Sequence, residues 1–180
     1  MRALLKQGYT LAMATATKVP LEVYLRSSEY EPDAEYVDGV IEERPMGEYD
    51  HAAWQLAVLR YFLKHVEWKV KALPELRVQV SPTRFRVPDV TVLDQGAPKE
   101  QIITHPPLMA FEILSPEDTV TRMLIKLADY AGMGIAGIFV IDPATDAYYI
   151  YQQGSLDHVS GSCTVSHCQV DFDEIKALLA

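Results

Sequence analysis

The sequence predicts a single α/β (α+β) domain in which helices flank a central mixed β-sheet. The chain has 180 residues, of which 49% are hydrophobic and 23% charged, a composition typical of one globular domain with its own core. Apolar residues recur at helical spacing in some segments and form short strand-like runs in others, in the order helix, hairpin, helix, strands, helix, strands. No linker or repeat divides residues 18–180, which we interpret as one domain preceded by a disordered extension, residues 1–17.

In the N-terminal half, the sequence predicts two helices separated by a hairpin. A short helix is expected at Pro20, since proline is favoured in the first turn of a helix. The Asp38-Gly39 pair lies between β-forming residues and predicts a tight hairpin turn. Asp50 is expected to cap a helix over residues 51–66, where apolar side chains recur at helical spacing.

The C-terminal half predicts the sheet. Strands are expected at residues 76–80, 86–93 and 108–114, and the nearly continuous apolar run of the last one indicates a strand covered on both faces. Residues 118–131 carry an apolar stripe typical of an amphipathic helix, which Gly132 and Gly134 are expected to end. Two further strands at residues 138–141 and 147–151 precede a closing helix over residues 173–179.

The sequence predicts a cytoplasmic protein without a membrane-spanning segment. No apolar run reaches the roughly 18–20 residues that a membrane span needs. The apolar patch in residues 1–16 is short and interrupted, which argues against a signal peptide, and Met13 is interpreted as the true start. Cys163 and Cys168 are too few for a disulfide framework and fit a reducing compartment. With His158 and His167 they could supply zinc ligands, although this segment also favours strand and turn.

The charge is unevenly distributed. A net charge of −9 argues against indiscriminate binding of nucleic acid. Residues 60–86 nevertheless hold seven basic side chains against two acids, whereas after Lys126 one lysine stands against seven acids. A basic middle and an acidic tail indicate a polarised surface, unless these charges merely solvate a helix face and strand edges.

Two acids lie where hydrophobic residues are expected. Asp89 follows Val87-Pro88 at the start of a valine-rich run, and Glu112 interrupts the apolar run of residues 108–114. Unpaired buried carboxylates are costly, and neighbouring ones repel each other. Mg²⁺ (or Mn²⁺) relieves both problems, because it binds one or two carboxylates and leaves its other positions to water and phosphate oxygens. The alternative is that each acid lies at a strand end, paired with an arginine or exposed.

These acids carry a resemblance to a known group of proteins. Pro88-Asp89 followed by Glu112 resembles the Pro-Asp … (Asp/Glu)-x-Lys motif of the restriction-endonuclease-like superfamily, and residues 20–152 are similar to the Uma-two family of restriction-endonuclease-like proteins. The matching stretches are Glu35-Tyr-Val-Asp-Gly, His51, Arg86-Val-Pro-Asp89, Phe111-Glu-Ile-Leu-Ser115, Lys126-Leu-Ala-Asp-Tyr130 and Phe139-Val-Ile-Asp-Pro143. Their order and spacing together are specific for the family.

The resemblance implies a restriction-endonuclease-like core and metal-assisted hydrolysis of DNA. Asp89 and Glu112 are expected to bind the metal ion, with Glu35 as the third acid. The lysine expected two residues after Glu112 is Leu114 in this chain, and Lys126 is its expected substitute. Lys126 would orient the attacking water or stabilise negative charge in the transition state.

Further expectations concern His51, two arginines and the oligomeric state. His51 is expected either to contact substrate or water, or to cap or pack the helix that it begins. Arg84 and Arg86 are expected to form a positive rim beside Asp89 that binds DNA. A homodimer is predicted, because the helix over residues 51–66 is apolar on more than one face and nucleases that cut both strands commonly pair two sites. The alternatives to a DNA endonuclease are a catalytically weak or inactive nuclease-like module that binds a partner protein, and a hydrolase of RNA or small nucleotides.

Overall fold

The structure, a computed structural model, describes residues 18–26, 34–44 and 47–179. The extension expected at residues 1–17, including Met13, lies outside these residues, so that prediction stays untested. The elements in chain order are α1 (Leu21–Arg26), β1 (Glu35–Val37), β2 (Val40–Glu42), α2 (Tyr49–Lys64), β3 (Val70–Pro74), β4 (Val78–Ser81), β5 (Arg84–Arg86), β6 (Val90–Asp94), β7 (Met109–Ile113), α3 (Val120–Met133), β8 (Gly137–Asp142), β9 (Ala147–Gln152), β10 (Ser155–Val159), β11 (Ser162–Val165), β12 (Cys168–Asp171) and α4 (Phe172–Ala177).

The described strands form two main sheets and one small hairpin. The larger sheet has six strands in the order β10-β9-β8-β7-β6-β3, and the smaller one has four in the order β2-β1-β5-β4. Strands β7 and β8 run parallel and are connected through α3, whereas the other neighbours in the six-stranded sheet are antiparallel. A mixed sheet flanked by helices is therefore confirmed.

Helices cover both faces of the six-stranded sheet. Phe111 of β7 belongs to the core that includes Trp54 and Phe62 of α2, while its neighbour Ala110 packs in a second core with Leu127 of α3. Successive side chains of a strand point to opposite faces, so the continuous apolar run of β7 is what a strand covered on both sides requires. The same alternation turns Glu112 toward α3.

Several local expectations are confirmed and others are wrong. Asp38 and Gly39 both have positive φ, at 50° and 97°, as a tight hairpin turn requires. The predicted cap Asp50 lies inside the first turn of α2, whose N-cap position is Glu48. Gly132 continues α3, and Gly134, with φ at 95°, is the residue that ends it. Residues 158–170 fall within the hairpins built by β10, β11 and β12, as the strand interpretation predicts.

The valine-rich segment at residues 86–93 does not form one strand. Its beginning belongs to β5 in the four-stranded sheet and its end to β6 in the six-stranded sheet. The chain crosses between the sheets at Val87-Pro88-Asp89, where proline cannot donate a hydrogen bond to a strand ladder. Asp89 consequently lies at the junction of the two sheets.

Candidate active site

Strand register brings the two predicted metal ligands together. Val90 of β6 pairs with Phe111 of antiparallel β7, so Asp89, one residue earlier, stands opposite Glu112, one residue later. Residues directly opposite on neighbouring strands have Cβ atoms about 4.5–5.5 Å apart. Both carboxylates are buried, with 2% of Asp89 and 3% of Glu112 exposed. The sequence prediction that these acids are neighbours therefore agrees with the pairing of the strands.

Helix α3 supplies two partners to Glu112. The Lys126 ammonium lies 2.7 Å from Glu112 Oε2, and the Tyr130 hydroxyl donates a hydrogen bond to Oε1 at 2.5 Å. The two side chains reach the same carboxylate because residues four apart share a helix face. Burial, together with the charges of Asp89 and Glu35, raises the pKa of Glu112 to about 7, although Lys126 opposes this shift. Lys126 thus lies where the substitute for the motif lysine was expected.

Glu35 joins the same group of charges from the four-stranded sheet. Its Oε1 lies 2.9 Å from the Lys126 ammonium and accepts a hydrogen bond from the Val87 amide at 3.0 Å. Its Oε2 accepts from Arg86 Nη1 at 2.8 Å. Burial would raise the pKa of Glu35, but Lys126 and Arg86 outweigh it, and the pKa is lowered. Lys126 therefore bridges one acid from each sheet.

Asp89 is held by three donors. The Ile113 amide donates to Oδ2 at 2.7 Å, His51 Nε2 lies 3.2 Å from the same oxygen, and Arg44 contacts Oδ1. Burial opposes ionisation of Asp89, but the hydrogen bond to His51 and the nearby cations lower its pKa. The pKa of His51 is raised in turn: burial lowers it, and its hydrogen bond to Asp89 more than compensates. His51 of α2 thus contacts one of the two candidate metal ligands directly.

Arg44 is a site residue that the sequence analysis missed. Its side chain is 13% exposed and lies beside Asp89, with Glu75 Oε1 at 3.9 Å from Nη1. Burial would lower the pKa of Arg44, but Asp89 and Glu112 outweigh it and raise the pKa. The available signal in the sequence was a lone arginine near the acidic end of β2. Arg44 belongs to no periodic pattern that would have marked it as a site residue.

Arg86 does not take the place expected for it on an exposed positive rim. Its side chain is 2% exposed, and besides Glu35 it contacts Glu42 at 3.0 Å and Asp129 at 2.8 Å. Three acids therefore neutralise this guanidinium inside the protein. Arg84 is 33% exposed and paired with Asp38 and Asp129, so its charge is also largely compensated. The expected positive rim is not formed by these two arginines, because the sequence analysis counted basic residues without the acidic side chains that other elements bring against them.

The acids and Lys126 line a small cleft. Its volume is about 30 Å³, and its lining includes Glu35, Asp89, Glu112, Lys126 and Arg44. This is room for one or two water-sized groups. Three carboxylates are the hard oxygen donors that Mg²⁺ and Mn²⁺ prefer, so the donor chemistry fits a divalent ion. Among the described residues, however, no three His, Cys, Asp or Glu side chains are arranged as a metal site, and lysine and arginine groups lie against the acids instead.

The described helices include none that is long and apolar enough to span a membrane.

Comparisons with known proteins identify the family and the fold of this chain. A model of the Uma2 family, described as "Putative restriction endonuclease", matches residues 21–169. A crystal structure of a "putative nuclease belonging to DUF820" from Anabaena variabilis ATCC 29413 is 23% identical, with a TM-score of 0.77 over 90% of this chain and 99% of that one. The DrdV–DNA complex gives a TM-score of 0.41 at 18% identity, over 71% of this chain and 11% of that one, which is too distant to bear on function. No curated protein matches the chain.

The Anabaena structure, at a TM-score of 0.77, shares the fold of this chain. The family match covers most of the chain, including each candidate site residue from Glu35 to Lys126. The chain belongs to the Uma2 family of restriction-endonuclease-like proteins.

Proposed function

We propose that the protein is a metal-dependent DNA endonuclease that hydrolyses phosphodiester bonds. The observation that carries the proposal is the opposition of Asp89 and Glu112 across β6 and β7, with the Lys126 ammonium 2.7 Å from Glu112. Membership of the Uma2 family supports a nuclease role. Because folds host varied functions, the proposal depends on this arrangement of side chains more than on the fold.

Asp89, Glu112 and Glu35 are the residues that would hold Mg²⁺ or Mn²⁺. When bound, such an ion polarises the scissile phosphate and lowers the pKa of a water ligand. The protein's contribution is to fix these carboxylates in place: the Ile113 amide and His51 orient Asp89, while the Tyr130 hydroxyl holds Glu112. Positioned groups of this kind need little reorganisation when substrate arrives.

Lys126 and Arg44 are the cations that would act on the substrate. The surrounding carboxylates raise the pKa of Lys126 despite its burial, so it stays an ammonium and can donate to a developing negative charge. Arg44 lines the same cleft and contacts Asp89. We assign Arg44 to binding of the scissile phosphate, since a guanidinium matches phosphate oxygens through paired hydrogen bonds.

A cleavage assay tests this function. Plasmid DNA, single-stranded DNA and RNA are incubated with the protein in Mg²⁺, Mn²⁺ or excess chelator. We expect cleavage of DNA that requires the ion and is lost in Asp89→Asn and Lys126→Met, while Asp157→Asn, which changes an exposed acid of β10, keeps full activity. Cleavage of RNA alone would redirect the proposal to that substrate, and cleavage retained in both site variants would contradict it.

A second candidate function is a nuclease-like module that binds a partner protein without cleaving. The observation that favours it is that each candidate acid already contacts a lysine or arginine of the same chain. Absence of cleavage on every substrate, together with unchanged thermal stability in Mn²⁺, would make this the preferred function.

We also propose that the protein is cytoplasmic and acts as a homodimer. Cys163 and Cys168 are free thiols, which fits a reducing compartment. A dimer would supply two cleavage sites, one for each strand of a duplex, by two-fold symmetry.

A further inference from the structure

The two carboxylate oxygens of Asp89 are held by different kinds of partner. Oδ2 accepts a hydrogen bond from the Ile113 amide at 2.7 Å and lies 3.2 Å from His51 Nε2. A carboxylate oxygen accepts about two hydrogen bonds, so these two donors saturate Oδ2. Oδ1 is contacted by the Arg44 guanidinium. A divalent ion that binds Asp89 would therefore meet Arg44 at Oδ1.

Arg44 and Lys126 are both cations of the cleft, but they differ in what their departure would cost. Lys126 projects from α3 between two buried acids, 2.7 Å from Glu112 Oε2 and 2.9 Å from Glu35 Oε1. Moving Lys126 would take this cation from two buried carboxylates at once, which is costly. Arg44 lies two residues after the end of β2 and contacts one buried acid, Asp89, which a bound ion would itself compensate. Arg44 is therefore the cation that an ion displaces more readily.

Glu75 offers the Arg44 guanidinium a second acceptor at the edge of the site. Its Oε1 lies 3.9 Å from Arg44 Nη1, longer than a hydrogen bond but within a short movement of the side chain. The Glu75 amide donates to the Asp89 carbonyl oxygen at 3.3 Å, which keeps this residue beside the site. The Glu75 side chain is 43% exposed, against 4% for Asp89. Arg44 can thus move from a buried acid to a half-exposed one while its backbone stays in place.

We propose that Arg44 competes with the divalent ion for Asp89 Oδ1, and that binding of the ion moves the guanidinium to Glu75. The inference rests on the metal ion of the proposed function, and it concerns the affinity for that ion rather than cleavage. Two cations at one buried carboxylate oxygen repel each other strongly, because charges are weakly screened inside a protein. Arg44 therefore lowers the affinity for the ion, and Glu75 restores part of it by accepting the displaced guanidinium.

Calorimetric titration with Mn²⁺ tests the competition and needs no substrate. Arg44→Met removes the competing charge and is expected to lower the Kd for Mn²⁺ by about tenfold or more, as close charge pairs do. Arg60→Met is the matched control, since it removes an exposed arginine of α2 that donates to the Leu178 carbonyl oxygen. It is expected to leave the Kd unchanged. Mn²⁺ binding in Arg44→Met that is equal to the wild type or weaker would overturn the proposal.

Glu75→Gln tests the second position of the guanidinium, and the exposure of this side chain makes it a change outside the core. Without this acceptor Arg44 stays on Asp89, so the Kd for Mn²⁺ is expected to rise by about threefold, as for coupled neighbours. In the Arg44→Met background the same substitution is expected to change the Kd by less than about twofold, as for independent sites. An equal rise in both backgrounds would show that the Glu75 charge acts on the ion directly, and would refute the transfer.

The titrations and the cleavage assay separate this inference from the proposed function. A wild type that binds Mn²⁺ without cleaving any substrate, together with tighter binding in Arg44→Met, would support the competition and contradict the endonuclease. Ion-dependent cleavage together with an unchanged Kd in Arg44→Met would support the endonuclease and contradict the competition. If neither protein bound Mn²⁺, the competition and the metal site would both be refuted.

Discussion

Replacing Arg86 by methionine tests whether this residue is structural. Its guanidinium is 2% exposed and contacts three acids: Glu35 at 2.8 Å, Glu42 at 3.0 Å and Asp129 at 2.8 Å. Methionine preserves much of the apolar volume but removes the charge. Glu35, 1% exposed, would then have Lys126 as its remaining cation.

The expected loss is large because one member of a buried charge cluster is removed. Breaking a buried pair by removing one partner costs about 3–5 kcal/mol of unfolding free energy. For a chain of this size each kcal/mol lowers Tm by about 2–4 °C, so Tm should fall by about 6–20 °C. Arg84→Met is the matched control. This arginine is 33% exposed, and it pairs with the exposed Asp38 and with Asp129, which keeps Arg86 as a partner. Its loss is therefore expected to cost less than about 1 kcal/mol.

Urea denaturation followed by tryptophan fluorescence and circular dichroism measures both losses. Trp54 is buried in the core and reports its opening. Arg86→Met costing less than about 1 kcal/mol, or no more than Arg84→Met, would refute the structural role and return Arg86 to the set of residues available for binding DNA.

Three further predictions concern the metal ion, the lysine and the acidic tail. Mn²⁺ at about 100 times its dissociation constant should stabilise the wild type by about 2.7 kcal/mol and so raise Tm by about 5–10 °C. Asp89→Asn should lose this shift in Tm, and an equal shift in both proteins would mean that the ion binds elsewhere. Lys126→Ala should abolish cleavage. Adding Leu114→Lys to that variant should restore part of the activity, because residue 114 is two positions after Glu112 and points to the same face of the sheet. No recovery would mean that the ammonium must come from α3. The hydrogen bond from Lys64 lowers the pKa of Glu174 below its ordinary 4.5, so the stability that ionised Glu174 contributes is present above pH 4.5 and is lost as pH falls through the lowered pKa. The difference in unfolding free energy between wild type and Glu174→Gln should therefore shrink on acidification. A difference that stays constant with pH would contradict the assignment.

The sequence predicts those parts of the site that interrupt a pattern. Asp89 stands out because it is an acid beside a valine-rich run, and Glu112 because it is an acid within an apolar strand. The helix that carries Lys126 stands out by its apolar stripe. The two acids lie opposite each other because β6 and β7 are antiparallel neighbours. This pairing can be expected once both strands are identified in the sequence.

What the sequence did not predict depends on contacts between distant segments. Arg44 reaches Asp89 across 45 residues of chain, and nothing in its local sequence marks that contact. Arg86 resembles a surface residue until Glu35, Glu42 and Asp129 are brought around it by β1, β2 and α3. Strand β3 was missed because it includes a lysine and ends in proline, features of an edge strand that weaken the apolar alternation.

The crossing of the chain between the two sheets at Val87-Pro88-Asp89 has a mechanical consequence. Lys126 bridges Glu35 of the smaller sheet to Glu112 of the larger one, so the tilt of one sheet against the other sets the spacing of these acids. A movement of one sheet against the other would therefore change this spacing while every strand kept its own hydrogen bonds. The arrangement of the candidate site can in this way be lost while the secondary structure is kept, and a ligand that draws Glu35 and Glu112 together would also hold the two sheets together.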